Sequence, residues 1–230
     1  MLNIKNLKFG HGSHIVVAEN AAFGSGIYGV IGPSGSGKST FLNTLAGFHN
    51  CESGSVTFDD QDLLTQRVED RPIAMLFQSS NLFPHLTIFR NIALAMTSRR
   101  WLTKSQRQHV GDALDRVGLS GFENRKPGEL SGGQQSRATL ARVLLQKKSI
   151  LLLDEPFAAL GPAMRNEMLD LVKEIAETNN QIVFLVTHSP DDALRICDQT
   201  IFVTNKRLWL AGDTKNALQN IPSEMQDYFG

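Results

Sequence analysis

The sequence predicts an α/β fold: a mostly parallel core sheet, an antiparallel β subdomain at its N-terminus and an inserted α-helical subdomain. Three observations carry this prediction. Residues 27–31 form an apolar run that passes through a glycine-rich turn into a helical pattern at 40–45. Ile150, Leu151, Leu152 and Leu153 form a second apolar run, ending in Asp154 and Glu155. From residue 130 onward such runs alternate with helical patterns, which implies parallel strands covered on both faces.

Taken in order, residues 2–31 read as strands and turns. Leu2 and Ile4 alternate with polar residues, Ile15, Val16 and Val17 are all β-branched, and Gly24, Ser25 and Gly26 mark a turn. Beyond the first helix, Glu52, Ser53 and Gly54 predict a turn into a short strand at 55–58, and 73–77 is a further strand ending at Gln78. Residues 79–129 change character. Ile88, Ile92, Ala95 and Met96, then Val110, Leu114 and Val117, have helical spacing around a basic link at 99–108. The rest predicts a helix from Ser131 to 145, a strand at 150–153, a helix at 163–177 and a strand at 181–187. A short helix at 191–196, strands at 200–204 and 207–210 and a helical tail complete it. The expected organisation is one domain, 1–230, with a core of 1–78 and 130–230 and a helical insertion at 79–129.

The totals exclude several classes. A chain of 230 residues with 41% hydrophobic and 20% charged residues is an ordinary globular domain able to bury a core. A formal net charge of +0 leaves no electrostatic footprint for nucleic acid. The only cysteines, Cys51 and Cys197, lie far apart and outside any metal-ligand spacing, as suits a reducing cytoplasm. The N-terminus carries no secretory h-region, and no apolar run approaches the roughly 18 residues of a spanning helix. Any membrane role therefore needs a spanning partner.

Gly32, Pro33, Ser34, Gly35, Ser36, Gly37, Lys38 and Ser39 lie between the strand and the helix that Thr40 continues. Glycines let successive backbone N–H groups curl around an anion at a helix N-terminus. Lys38 supplies a mobile charge for β- and γ-phosphates, and the Ser39 hydroxyl a ligand for Mg2+. The eight positions in this context predict a P-loop NTPase. Asp154 and Glu155 emerge at the carboxyl end of a buried strand, where open α/β sheets bind ligands. Asp154 is expected to hold the metal and Glu155 to act as general base toward water. Ser131, Gly132, Gly133 and Gln134 form a second anion-suited helix start, with Ser131 as N-cap.

With Gln135, Ser136, Arg137, Ala141 and Arg142, this last stretch resembles the signature motif of ATP-binding cassette (ABC) proteins, and the resemblance extends over nearly the whole chain. It implies ATP and Mg2+ as ligands and a head-to-tail homodimer, in which one copy's signature closes over ATP on the other's phosphate loop. It also implies that Gln78 is the glutamine loop, reaching Mg2+ and relaying its state to an integral membrane permease. His188 resembles the switch histidine that meets the γ-phosphate. The adenine-stacking position falls on His11 or Phe9. The run from Asp154 to Pro162 resembles the dimer-contacting loop, with Gly161 where the family usually has aspartate.

A guanine-specific GTPase is disfavoured, because Asn205, Lys206, Arg207 and Leu208 lack the guanine-reading carboxylate. A chromosome-type ATPase is disfavoured because 79–129 has no room for a coiled coil, and a translation-factor type because one cassette is present. An ABC-type ATPase serving as a regulatory or structural module without a pore stays open. The segments at 154–160 and 188–198 resemble importer ATPases, and the chain stops at Gly230 without the regulatory domain many of them carry. Residues 71–78 with 81–87 are similar to the ATPases of bacterial thiamine importers. That implies a peripheral protein at the cytoplasmic face of the inner membrane, served indirectly by a periplasmic solute-binding protein.

Overall fold

The computed structural model describes residues 1–77, 81–99 and 101–226. The strands are β1 (Leu2–His11), β2 (His14–Ala18), β3 (Ala21–Phe23), β4 (Gly26–Ile31), β5 (Cys51–Phe58), β6 (Gln61–Asp62), β7 (Ile73–Leu76), β8 (Ile150–Asp154), β9 (Ile182–Val186), β10 (Gln199–Thr204) and β11 (Arg207–Asp213). The helices are α1 (Lys38–Ala46), α2 (Ile88–Ala93), α3 (Lys104–Arg116), α4 (Gly132–Leu144), α5 (Pro162–Thr178), α6 (Pro190–Ile196) and α7 (Thr214–Gln219).

All strands join one sheet in the order β6-β5-β1-β2-β11-β10-β4-β9-β8-β7, with β3 paired to β1. Strands β10, β4, β9, β8 and β7 are mutually parallel, whereas β1 pairs antiparallel with β2, β3 and β5. The mostly parallel core and the antiparallel N-terminal strands are as the sequence predicts. Strand β8 shows why its residues are all aliphatic. Ile150 and Leu152 enter the core on the α1 side, while Leu151 and Leu153 enter the core that α4 and α5 cover.

One expectation is corrected. Glu52, Ser53 and Gly54 do not form a turn but lie inside β5, which begins at Cys51. Gly54 has φ 102, and a Cβ there would sit 2.5 Å from the Asn6 carbonyl oxygen. The glycine marks close backbone approach where the β1–β5 register shifts.

Among the described residues between β7 and β8, no strand occurs, and α2, α3 and α4 pack on one another. Asn91, fully buried on α2, organises the turn before that helix. Its Oδ1 accepts from the Phe83 N–H at 2.7 Å, and its Nδ2 donates to the carbonyls of Phe83, Leu86 and Thr87. The turn thereby holds Phe83 at the surface, 46% exposed, while the neighbouring Leu82 is buried.

Candidate active site

The phosphate loop leaves β4 at Ile31 and enters α1 at Lys38. It passes close under the sheet: a Cβ at Gly32 would lie 2.0 Å from the Val203 carbonyl oxygen. Gly37, at φ 108, precedes α1 and offers no side-chain cap. The first-turn amides of α1 therefore keep their hydrogen-bonding capacity for an anion. The Lys38 ammonium donates to the carbonyls of Gly32 (2.6 Å) and Pro33 (2.8 Å) and is 5% exposed. Burial lowers its pKa, and the nearby Glu155 and Asp154 carboxylates oppose that shift.

Across the loop, β8 delivers Asp154, 5% exposed, whose Oδ1 accepts the Ser39 hydroxyl at 3.1 Å. Burial raises the Asp154 pKa; the Ser39 bond opposes this, Glu155 adds to it, and Lys38 and His188 work against it. A desolvated carboxylate touching a hydroxyl is a donor pair that suits a hard cation. Glu155 then turns the chain sharply. Its φ of 46 is in the left-handed region, and its N–H donates to the Val186 carbonyl at 3.1 Å. Such a conformation costs a non-glycine residue about 1–2 kcal/mol, and strain of this kind concentrates at functional sites. His188 follows β9, and its Nε2 lies 2.6 Å from Glu155 Oε1. Ser34, Gly35, Gly37, Lys38, Ser39, Thr40, Glu155 and His188 line one cavity of about 320 Å³. Residues from three separated stretches thus meet at one opening.

The ABC transporter family profile matches residues 23–158. The chain belongs to the ABC transporter family. It is an ATPase cassette of that family. The thiamine import ATP-binding protein ThiQ of Ruegeria sp. (strain TM1040) is 49% identical over 230 residues, covering all of both chains. ThiQ of Cereibacter sphaeroides is 43% identical, again over the whole of both. Among solved structures, the ATP-binding cassette MJ0796, a dimer bound to ADP and Pi, superposes with TM-score 0.79 at 28% identity. The match covers 90% of this chain and 96% of that one. The fold is also that of cbiO1 from Clostridium perfringens, with TM-score 0.83 at 24% identity, over 95% of this chain and 90% of that one.

Other expected site residues of the cassette lie elsewhere. Ser131 caps α4, its hydroxyl accepting from the Gln134 N–H at 3.3 Å while Gln134 Oε1 accepts from the Ser131 N–H at 2.9 Å. This group does not line the phosphate-loop cavity. Gly132 and Gly133 pack beside Ala159 and Leu160, in the loop that follows Glu155. Gln78 lies outside the described residues. Of the two adenine candidates, Phe9 is fully buried against Phe41, with ring centroids 5.7 Å apart. It is core and removed as a base contact. His11 is exposed and stacks on His49, at 4.1 Å and 16°.

Two residues that border or brace the site were not singled out for it from the sequence. His14 pairs with His11 across the β1–β2 hairpin and also lines the phosphate-loop cavity. No motif marks it, because only the hairpin brings it there. Arg71, 5% exposed, donates through Nη1 to the Thr44 (3.1 Å) and Leu45 (2.7 Å) carbonyls at the C-terminus of α1. A cation there complements the helix dipole and fixes the far end of the phosphate-loop helix.

Proposed function

We propose that this chain is the ATP-hydrolysing motor subunit of a bacterial thiamine importer. The observation that carries the substrate is the 49% identity, over full length, to a thiamine import ATP-binding protein. The chemistry rests on the pairing of Glu155 with His188 at the mouth of the phosphate loop. Two copies bind two ATP molecules head to tail, each phosphate loop closed by Ser131, Gly132, Gly133 and Gln134 of the other copy. His11 stacks on adenine, backed by His49. Gly32, Pro33, Ser34, Gly35, Ser36, Gly37 and Thr40 surround the phosphates, with Lys38 placing its charge between the β and γ groups.

Ser39 and Asp154, with Gln78, would hold Mg2+. When bound, the ion offsets charge on the β- and γ-phosphate oxygens. Glu155 accepts a proton from water as the water oxygen bonds to the γ-phosphorus and the bond to the β–γ bridging oxygen breaks. His188, hydrogen-bonded to Glu155, orients that water toward the γ-phosphate.

Residues 79–129 act as the helical subdomain that docks an integral membrane permease, which a periplasmic solute-binding protein supplies. The complex works at the cytoplasmic face of the inner membrane, with this subunit peripheral; no helix among the described residues is long and apolar enough to span. Phe83, held outward by the Asn91-ordered turn, offers the apolar contact. Phe83→Asp is expected to abolish copurification of the permease while the isolated subunit binds ATP as before. Intact copurification by affinity pull-down would remove Phe83 from the docking surface.

Gly161 is the N-cap of α5, at φ −67 and ψ 159, with no side-chain cap and open space where a Cβ would stand. Its backbone is ordinary extended chain, so an aspartate fits without strain. Gly161→Asp is expected to raise stability by a few tenths of a kcal/mol through capping. It should also strengthen ATP-dependent dimerisation and raise the Hill coefficient of hydrolysis. Thermal unfolding reads the first effect, and rate against ATP concentration the second. A stabilised monomer with unchanged dimer fraction would confine the residue to helix capping.

A further inference from the structure

His188 stands in the turn at 187–189, just after β9. A cavity of about 320 Å³ opens between the 155–158 loop and the 187–189 turn. The turn is therefore held by polar bonds, and these converge on Asp192 of α6, 7% exposed. Its Oδ2 accepts from Arg165 Nε at 3.0 Å, from a second guanidinium nitrogen of Arg165, and from the Thr187 hydroxyl at 2.8 Å. The Thr187 oxygen in turn accepts the Ser189 N–H at 3.0 Å. The Thr187 hydroxyl thus donates to Asp192 and accepts from Ser189, a side-chain turn that spans His188.

We propose that Asp192, Arg165 and Thr187 are positioning residues for hydrolysis, holding the 187–189 turn so that His188 Nε2 stays within reach of Glu155 Oε1. Arg165 lies in the first turn of α5, its N–H donating to the Gly161 carbonyl at 2.9 Å. The Arg165–Asp192 ion pair therefore joins the start of α5, which follows the loop after Glu155, to α6, which follows the turn that carries His188. The inference rests on reading His188 as the partner of Glu155 in hydrolysis.

Removing Asp192 would leave a guanidinium short of its partner and endanger the fold. Thr187 is the cleaner probe, since valine keeps its shape and deletes both hydrogen bonds while the ion pair remains. In the full-length protein, Thr187→Val is expected to lower kcat for ATP about 10- to 100-fold, the scale of a catalytic group displaced by about an ångström. KM for ATP and the unfolding temperature should stay at wild-type values, and Thr187→Ser should restore kcat. A purely structural hydroxyl would lower the unfolding temperature and leave kcat of the folded fraction unchanged, which would overturn the proposal. If Thr187→Val does not fold, Arg165→Lys decides, since it keeps the charge and loses the planar fork. Reduced kcat at constant KM supports the proposal, and unchanged kcat overturns it. His188→Ala, measured beside them, separates the two layers. Full activity in His188→Ala contradicts the role given to His188 itself. Loss there with a fully active Thr187→Val contradicts only the positioning.

Discussion

Glu155→Gln is expected to slow ATP hydrolysis about 10²–10⁴-fold while leaving ATP binding intact. The amide keeps the shape of the carboxylate and its place at the left-handed bend of residue 155, so the cavity it shares with Lys38, Ser39 and His188 persists. What disappears is the proton acceptor. The contact to His188, 2.6 Å long in the wild type, becomes a neutral hydrogen bond that cannot draw a proton from water. Because ATP then survives between two copies, the variant should accumulate as a dimer with MgATP, visible by size exclusion. Wild-type turnover in Glu155→Gln would take this residue out of the chemistry.

Lys38→Ala has the second large effect, on binding rather than turnover. The ammonium is almost wholly buried and anchored to two loop carbonyls, so its charge is aimed before any phosphate arrives. Charge-assisted hydrogen bonds contribute about 1.5–3 kcal/mol each, which translates into ATP affinity roughly 10- to 100-fold weaker per bond lost. The Asp154 and Glu155 carboxylates would then face the triphosphate without that cation and add repulsion. Titration with a fluorescent ATP analogue measures this, with circular dichroism to verify the fold. Unaltered affinity in a folded Lys38→Ala protein would mean that the helix N-terminus alone holds the phosphates.

Legibility from sequence followed how local each signal was. The phosphate loop and the Asp154–Glu155 strand end are contiguous stretches whose chemistry and secondary structure are written together. The motifs assign Ser39 and Asp154 to one metal ion, and the fold brings the two side chains together, the Ser39 hydroxyl donating to Asp154. The parallel strands were equally plain, since a strand buried on both faces is aliphatic throughout. Gly54 was misread because a glycine after polar residues looks like a turn, and only the approach of β1 shows it to be a close-packing site.

Phe9 and His11 could not be told apart because residues two apart share a strand face. The difference lies in reach: Phe9 meets Phe41 inside the core, and His11 passes beyond the core to stack on His49. Gly161 was equally opaque, since backbone dihedrals decide whether a glycine is obligatory and composition does not report them. Arg165, Asp192 and Thr187 were invisible for a third reason. Each is unremarkable in its own segment, and the bonds that join them cross from α5 to α6 and the end of β9.

The most direct measurement is ATP-driven uptake of labelled thiamine into proteoliposomes that hold this subunit with its copurified permease and are supplied with the solute-binding protein. Uptake that requires ATP on the side bearing the subunit, and that falls to background with Glu155→Gln, is the predicted result. Thiamine accumulation at an undiminished rate with Glu155→Gln, or ATP-dependent uptake of another solute with none of thiamine, would contradict it.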